Sequence, residues 1–412
     1  MLQKYFARCE TCEEKFVLRI GVGHAAVQPV VFACPHCNSS LRGVLSVDYK
    51  NIVAKLESSD CLFFSCGRES KEPDKGVNLY TDVPVPVECQ GRSLVEGGSA
   101  FMALMPRLGI YLEDLSIQKD MMQHFVHDFL PAVRRSSSLY LNENWKPLRK
   151  QLAKIEMIDG DKPVPVPQIS FGFNETLLTM LIPISSGYCV GYRFNFFLKL
   201  FKDLRSNDGK NLRQLIDTYY NEFNFNLFKK QTIETIIKCF EHYDAIVAGL
   251  YYEYILLNTD GNCGKLQIFR DDFQLLKSLY IDIYELSMKS LSFIGPIFNL
   301  YYRNDCKKWS NGECYSLKKF GKLKAHEKEF VFMNDMNLCD NYNMLDRKIR
   351  NKIGHNSISY DFLSSKLVAE NGYEINVLDF IKSYSMATRI LHILHLIQWM
   401  ISENQYYKIK TT

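Results

Sequence analysis

No apolar run in this chain is long enough to cross a bilayer. The most apolar stretch, Ile390 to Ile401, is short and is interrupted by His392, His395 and Gln398, so no membrane span is expected. The opening residues, MLQKYFARCETC, hold no apolar core of signal-peptide length, and an unexported cytoplasmic chain is expected. Net charge is small, 50 Lys+Arg against 46 Asp+Glu giving +4, so bulk electrostatics recruits no nucleic acid. Any nucleic-acid contact must rest on a local patch. Internal repeats and low-complexity tracts are absent, which excludes solenoids and coiled arrays. A regular disulfide framework is missing too. The 13 cysteines are odd in number, four of them lie in two tight pairs and the rest are scattered, a usage that fits a reducing compartment.

What is present begins with those two pairs. Cys9 and Cys12 form one CxxC, and Cys34 and Cys37 form a second after 21 intervening residues. Each CxxC wraps two thiolates onto one ion, and two such knuckles complete a closed tetrahedral site, so one structural Zn2+ per chain is expected. A closed site leaves no position for water, hence no catalytic metal is expected there. VLRIGVGHAAVQPVVFA, between the pairs, alternates and contains glycine, and it reads as a β-hairpin linking the knuckles. His24 and His36 are redundant as ligands. Lys4, Arg8, Lys15, Arg19 and Arg42 suit either nucleic acid or a protein partner, and a solvated surface explains them equally well. Cys61 and Cys66 read as buried thiols, with substitution for one primary ligand left open.

Farther along, VLSVDY, CLFFSC, VNLYT and VPVPVEC suggest short strands, and residues 67–78 a polar loop. Leu115, Met122, Phe125, Phe129 and Val133 place a helical stripe on 113–135. Within it, His124 and His127 share a face beside Asp128, but no HExxH arrangement or third ligand accompanies them. One buried or capping histidine beside one exposed histidine is the expectation. Residues 161–170, DKPVPVPQIS, read as a connector or an edge strand. From about residue 194 apolar spacing near the helical period dominates, with a break at NTDGNCGK and a kink or helix end at Pro296. A helix is expected from about His326 into Arg350. Asn371-Gly372 is a turn between strand formers. A last helix from about Leu378 to Glu403 should bury Ile390, Leu394, Ile397 and Ile401, with His392 and His395 as packing or capping residues.

The remaining motif is Arg350-Asn351-Lys352-Ile353-Gly354-His355. A histidine titrates near neutrality and can take or give a proton. An arginine is a permanent forked cation suited to a phosphate on which charge builds. RNA brings its own nucleophile, the 2′-hydroxyl, so such a pair needs neither a protein nucleophile nor a metal. Arg19/His24 and Arg389/His395 match the loose spacing as well, but only Arg350 is followed by asparagine and sits in a polar stretch before the turn-rich NSISYD. The plain alternative is an exposed basic helix end that complements the helix dipole. On one continuous helix, Arg350 and His355 would lie about 140° apart. Convergence on one phosphate therefore needs a helix end near Gly354 or a second subunit.

From Met344 onward, this motif and the apolar helix after it resemble the C-terminal half of a HEPN domain, over roughly residues 340–405. The resemblance implies a mainly α protein. Its counterpart here is a C-terminal helical bundle (194–412) with a small two-stranded insertion; the cysteine pairs and the segments after them add, from the residues themselves, an N-terminal zinc ribbon (1–46) and a mixed α/β middle region (47–193). In this pattern the final apolar helix packs behind the motif. The implied activity is metal-independent RNA endonuclease cleavage across a homodimer. Arg350 would hold phosphate, Asn351 would orient substrate or histidine, and His355 would be the acid/base. Arg347, Lys348 and Lys352 would steer RNA, with solvation as their other reading, and Tyr360 is the nearest aromatic able to stack a base, though packing suits it better. A defence or toxin role under an unidentified trigger follows from the family. The competing class is a non-catalytic dimeric scaffold whose ribbon binds nucleic acid or a partner.

Overall fold

Alternation of apolar and polar residues builds the first part of the chain into strands. A computed structural model describes residues 2–23, 25–48, 51, 53–64, 73–87, 100–159, 164–185, 187–309, 312–324, 327–328, 342, 345–354, 358–361 and 364–406. The strands are β1 (Leu2–Cys9), β2 (Lys15–Gly21), β3 (Val27–Ala33), β4 (Ser40–Asp48), β5 (Val53–Glu57), β6 (Cys61–Phe64), β7 (Gly76–Leu79) and β8 (Val85–Pro86). One sheet has the order β6-β1-β2-β7 and another β3-β4-β5. The hairpin expected between the knuckles does not form, because β2 and β3 belong to different sheets. β2 pairs back with β1 and, in parallel, with β7, while β3 pairs forward with β4. β2 is a central strand with nearly every residue buried, and Arg19 within it is buried rather than solvated.

Helices follow: α1 (Ala100–Leu108), α2 (Leu112–His124), α3 (Leu130–Leu141), α4 (Trp145–Ala153), α5 (Val166–Leu181), α6 (Gly187–Glu222), α7 (Phe225–Glu241) and α8 (Tyr243–Asn258). A π turn at Phe125–Phe129 interrupts the helix expected over 113–135. The edge-strand reading of 161–170 is replaced by a helix start, with Pro165 at the cap and another proline in the first turn, where a missing N–H costs nothing. β9 (Leu266–Gln267) pairs with β8, and α9 (Phe273–Arg303) carries Pro296 within its length.

Next come α10 (Leu317–Gly321), α11 (Arg347–Ile353), β10 (Ile358–Asp361), β11 (Lys366–Ala369), β12 (Glu374–Asn376), α12 (Val377–Thr388) and α13 (Leu391–Tyr406). Most of the helix expected from His326 into Arg350 lies outside the described residues; of those described, 327–328 form a 3-10 turn, 342 is helical, 345 and 346 are not, and α11 starts at Arg347. The insertion has three antiparallel strands, not two, because part of NSISYD is strand β10. Gly372, at φ +76°, turns β11 into β12 as Asn371-Gly372 suggests. The terminal apolar helix is split at Arg389 and Ile390. Ile390, Leu394, Ile397 and Ile401 are nonetheless fully buried.

At 59% helix with small sheets, the protein is mainly α. Contacts divide it into two units, each assembled from three separated segments. Unit 1 comprises 1–119, 242–278 and 347–385; unit 2 comprises 120–241, 279–346 and 386–412. In unit 1, α8 is apolar around most of its circumference and is enclosed accordingly. Gly249 lets it approach α12 closely, since a Cβ there would meet Ser385 Cβ at 2.4 Å and the Ile381 carbonyl oxygen at 2.9 Å. In unit 2, α13 packs on α5, α6 and α7, and α3 packs on α4, α5 and α7. No helix among the described residues is long and apolar enough to cross a membrane.

Candidate metal centre and motif helix

Two local turns create the strongest site. The β1–β2 turn carries Cys9 and Cys12, and the β3–β4 turn carries Cys34 and Cys37. Both turns are closed the same way. Cys9 N–H donates to the Glu14 carbonyl and Glu13 N–H to that of Cys9; Cys34 N–H donates to Ser39 and Asn38 N–H to Cys34. Each needs a left-handed residue after its second cysteine, Glu13 at φ 63° and Asn38 at φ 61°. Asparagine tolerates that conformation best among non-glycine residues, and glutamate accepts it at some local cost.

The four sulfurs lie within 4.8 Å of one another. Cys9 Sγ is 4.0 Å from Cys37 Sγ, and Cys12 Sγ is 3.7 Å from Cys34 Sγ. A Zn–S bond of ~2.3 Å implies a tetrahedral edge of ~3.8 Å, so the arrangement fits a four-thiolate ion site. Thr11 N–H points at Cys9 Sγ from 3.4 Å, and Ser39 Oγ lies 3.0 Å from Cys37 Sγ. Burial works against the Cys9 thiolate, but surrounding backbone and Ser39 hydrogen bonds hold it down at about 6. Burial instead pushes Cys34 up to about 12. Four bare thiolates in this space would repel one another, and a bound divalent cation would balance their charge. His36 directs Nε2 to the Lys15 carbonyl, 3.1 Å away, and is not a ligand here. His24 lies outside the described residues. Lys4, Arg8, Lys15 and Arg42 are exposed, with Arg42 paired to Asp271 at 3.3 Å. Cys61 is buried, as expected; Cys66 lies outside the described residues.

The second candidate is α11. Ile349 and Ile353, four residues apart, bury one face. Arg347, Lys348, Asn351 and Lys352 are exposed and Arg350 is half-buried. Arg350 Nη1 donates to Asn351 Oδ1 at 3.3 Å. Lys352 Nζ stands 4.2 Å over the Tyr373 ring, and Asn371 Nδ2 donates to the Lys352 carbonyl at 3.2 Å. Gly354 closes the helix through its N–H to the Arg350 carbonyl; a Cβ there would lie only 2.6 Å from that oxygen. His355 lies outside the described residues. Tyr360 spends its hydroxyl on the Ile268 carbonyl and packs on Phe273, so packing is its role. The terminal helix α13, expected behind the motif, has α5, α6 and α7 as its principal neighbours and belongs to unit 2, whereas α11 belongs to unit 1.

Other histidines separate clearly. Of the expectation of one buried or capping histidine beside one exposed, the buried form is corrected: His124 and His127 are both exposed, and His124 Nδ1 meets Asp128 Oδ2 at 2.6 Å. His392 and His395 are fully buried. Arg193 Nη1 lies 2.7 Å from His392 Nε2, which must accept, leaving Nδ1–H for the Arg389 carbonyl. His395 has the opposite tautomer, donating Nε2–H to the Asn174 carbonyl at 2.8 Å and accepting at Nδ1 from Gln398. Burial pushes both down, His392 to about 3 and His395 to about 4, so both are neutral packing residues.

Sequence reasoning missed a buried ion cluster in unit 1. Arg270 donates to Asp244 Oδ2 at 2.7 Å, to the Thr81 carbonyl at 2.9 Å and in forked fashion to Asp272. Asp82 is enclosed nearby, and burial raises it to about 6. The one available signal was an acidic residue, Asp244, directly before the apolar run Ala245–Tyr252 of α8. Comparison with protein-family models, curated proteins and solved structures finds no match to this chain.

Proposed function

We propose that the chain is a metal-independent RNA endonuclease of HEPN type whose four-cysteine centre holds a structural zinc ion. The observation that carries this reading is the Arg350–Asn351 hydrogen bond at the end of α11, set among the exposed cations Arg347, Lys348 and Lys352. On this reading Arg350 holds a non-bridging phosphate oxygen and Asn351 fixes the guanidinium's orientation. His355 takes the proton from a ribose 2′-hydroxyl as it attacks the adjacent phosphate in line. The 5′-oxygen leaves with a proton from His355 of the same or a second subunit, giving a 2′,3′-cyclic phosphate and a 5′-hydroxyl. Two copies in an isologous dimer bring two such sets to one groove. A defence or toxin role, released by a trigger, is the biology this chemistry suits.

The test is full-length protein with total RNA and enough EDTA to strip loosely held ions, metal analysis verifying that the cysteine-bound ion stays. Cleavage should persist and should fall by roughly 10²-fold or more in His355→Ala and Arg350→Ala. Equal cleavage by wild type and both variants would sink the reading. Tight RNA binding with no cleavage, together with a stable dimer, would favour the scaffold instead.

A further inference from the structure

We infer that Cys61 is the resolving thiol of a redox modification site, forming a reversible disulfide with the metal-ligating Cys9 on exposure to a peroxide. This rests on the four-cysteine metal centre and is independent of the nuclease reading. Cys61 stands directly opposite Cys9 in the β1–β6 register. Cys9 turns its N–H and carbonyl toward the β2 side, bonding Glu14 and Glu13, while Glu10 N–H donates to the Asp60 carbonyl. Cys9 and Cys61 are therefore a non-hydrogen-bonded antiparallel pair, whose Cα atoms lie ~4.5 Å apart with both side chains on one face. That spacing lies within the ~4.4–6.8 Å a disulfide spans. No backbone movement is needed to bring the two sulfurs together.

The neighbourhood holds Cys61 in this position. Asp60 Oδ2 accepts from Arg42 N–H at 2.8 Å, Ser58 Oγ donates to the Arg42 carbonyl, and Asp60 N–H donates to Ser58 Oγ. The turn leading into β6 is thus tied to β4, the strand that follows the second knuckle. Cys9 and Cys61 are both shielded, whereas Cys37 is exposed and 4.0 Å from Cys9. Oxidant therefore enters at Cys37.

Peroxide transfers one oxygen to the Cys37 sulfur, forming a sulfenic acid as the O–O bond breaks and water leaves. The Cys9 sulfur attacks Cys37, the S–O bond breaks and a second water leaves, giving a Cys9–Cys37 disulfide. Cys61 then attacks the Cys9 sulfur and displaces Cys37, to which its proton passes. In sum two thiols and one peroxide become one Cys9–Cys61 disulfide and two waters, and Cys9 is lost to the metal.

The experiment uses zinc-loaded full-length protein treated with hydrogen peroxide, then thiol blocking, digestion and mass spectrometry, with zinc release followed by a chromophoric indicator. The expected result is a dominant Cys9–Cys61 peptide, accelerated zinc loss, and recovery of both thiols and zinc on reduction. Cys61→Ser should load zinc like wild type beforehand and then accumulate the Cys9–Cys37 link. An alkylated, unlinked Cys61 in oxidised wild type would overturn the inference, as would an unchanged disulfide pattern in the variant. Protein that binds no zinc but still yields the Cys9–Cys61 link would refute the metal centre while upholding the pairing.

Discussion

Unit 1 encloses a matched ion cluster, whereas unit 2 encloses a pair of neutral imidazoles. In unit 1 the buried Arg270 guanidinium is matched by Asp244 and Asp272, and four cysteine sulfurs lie close enough together to hold a metal ion. In unit 2, His392 and His395 are equally inaccessible yet carry no charge, because their neighbours fix opposite neutral tautomers. Buried charge depends on its partner, so removing one partner leaves an uncompensated ion. Buried neutral imidazole depends on pH, since protonation places a charge where no counter-charge waits. The two units should therefore fail under different insults.

The largest effect belongs to the metal centre. Four-thiolate zinc binding is worth ~10–16 kcal/mol in small zinc domains, and here much of it should be folding energy of the two knuckles. Stripping the metal, or Cys34→Ser, should expose residues 2–48 to limited proteolysis while the helical signal from unit 2 persists in circular dichroism. Simultaneous collapse of both units would erase the contrast. Next comes Arg270→Met, which leaves Asp244 and Asp272 buried without their cation and should cost about 3–5 kcal/mol in denaturant unfolding. A loss within experimental error would mean that the carboxylates find other partners.

Acidity supplies the finest discrimination. The folded-state imidazole of His395 titrates at about 4, below its unfolded value near 6.5. The unfolded chain takes up a proton first as pH falls, so this stabilisation is whole above pH 6.5 and is lost as pH drops through about 4. Its size is on the order of 3 kcal/mol. Asp82 runs the other way. Its folded value of about 6 exceeds the unfolded 3.8, so its contribution is whole below pH 3.8 and is lost as pH rises through about 6. Hydrogen exchange at pH 4.5 and 6.5 should show α13 amides better protected at the higher pH and amides around Tyr80–Val83 better protected at the lower. Asp82→Asn should flatten only the second trend. Parallel responses in both regions would remove the distinction.

Features carried by neighbouring residues were legible without coordinates. CxxC spacing, the Asn371-Gly372 turn and the apolar periods of α9 and α13 each depend on backbone geometry within a few residues, and each has its place in the fold. The failures share a cause. A hairpin between the knuckles was expected from alternation, but alternation says that strands exist, not which strands pair. The terminal helix was drawn through Ile390 because apolar residues continue across its break. NSISYD looked like loop because its polar residues mask a strand that pairs with β11.

By itself the sequence determined that two cysteine knuckles could share an ion, that helices would dominate, and that Arg350 and Asn351 fall near a helix end marked by Gly354. Tertiary structure alone decided that Cys61 faces Cys9, that Arg270 meets Asp244 and Asp272, and that residues 347–385 join the first 119 in one unit. The division has a physical origin. Local geometry follows from dihedral preferences and short-range hydrogen bonds, whereas partners distant in the chain are chosen by the burial and charge pairing of the whole fold.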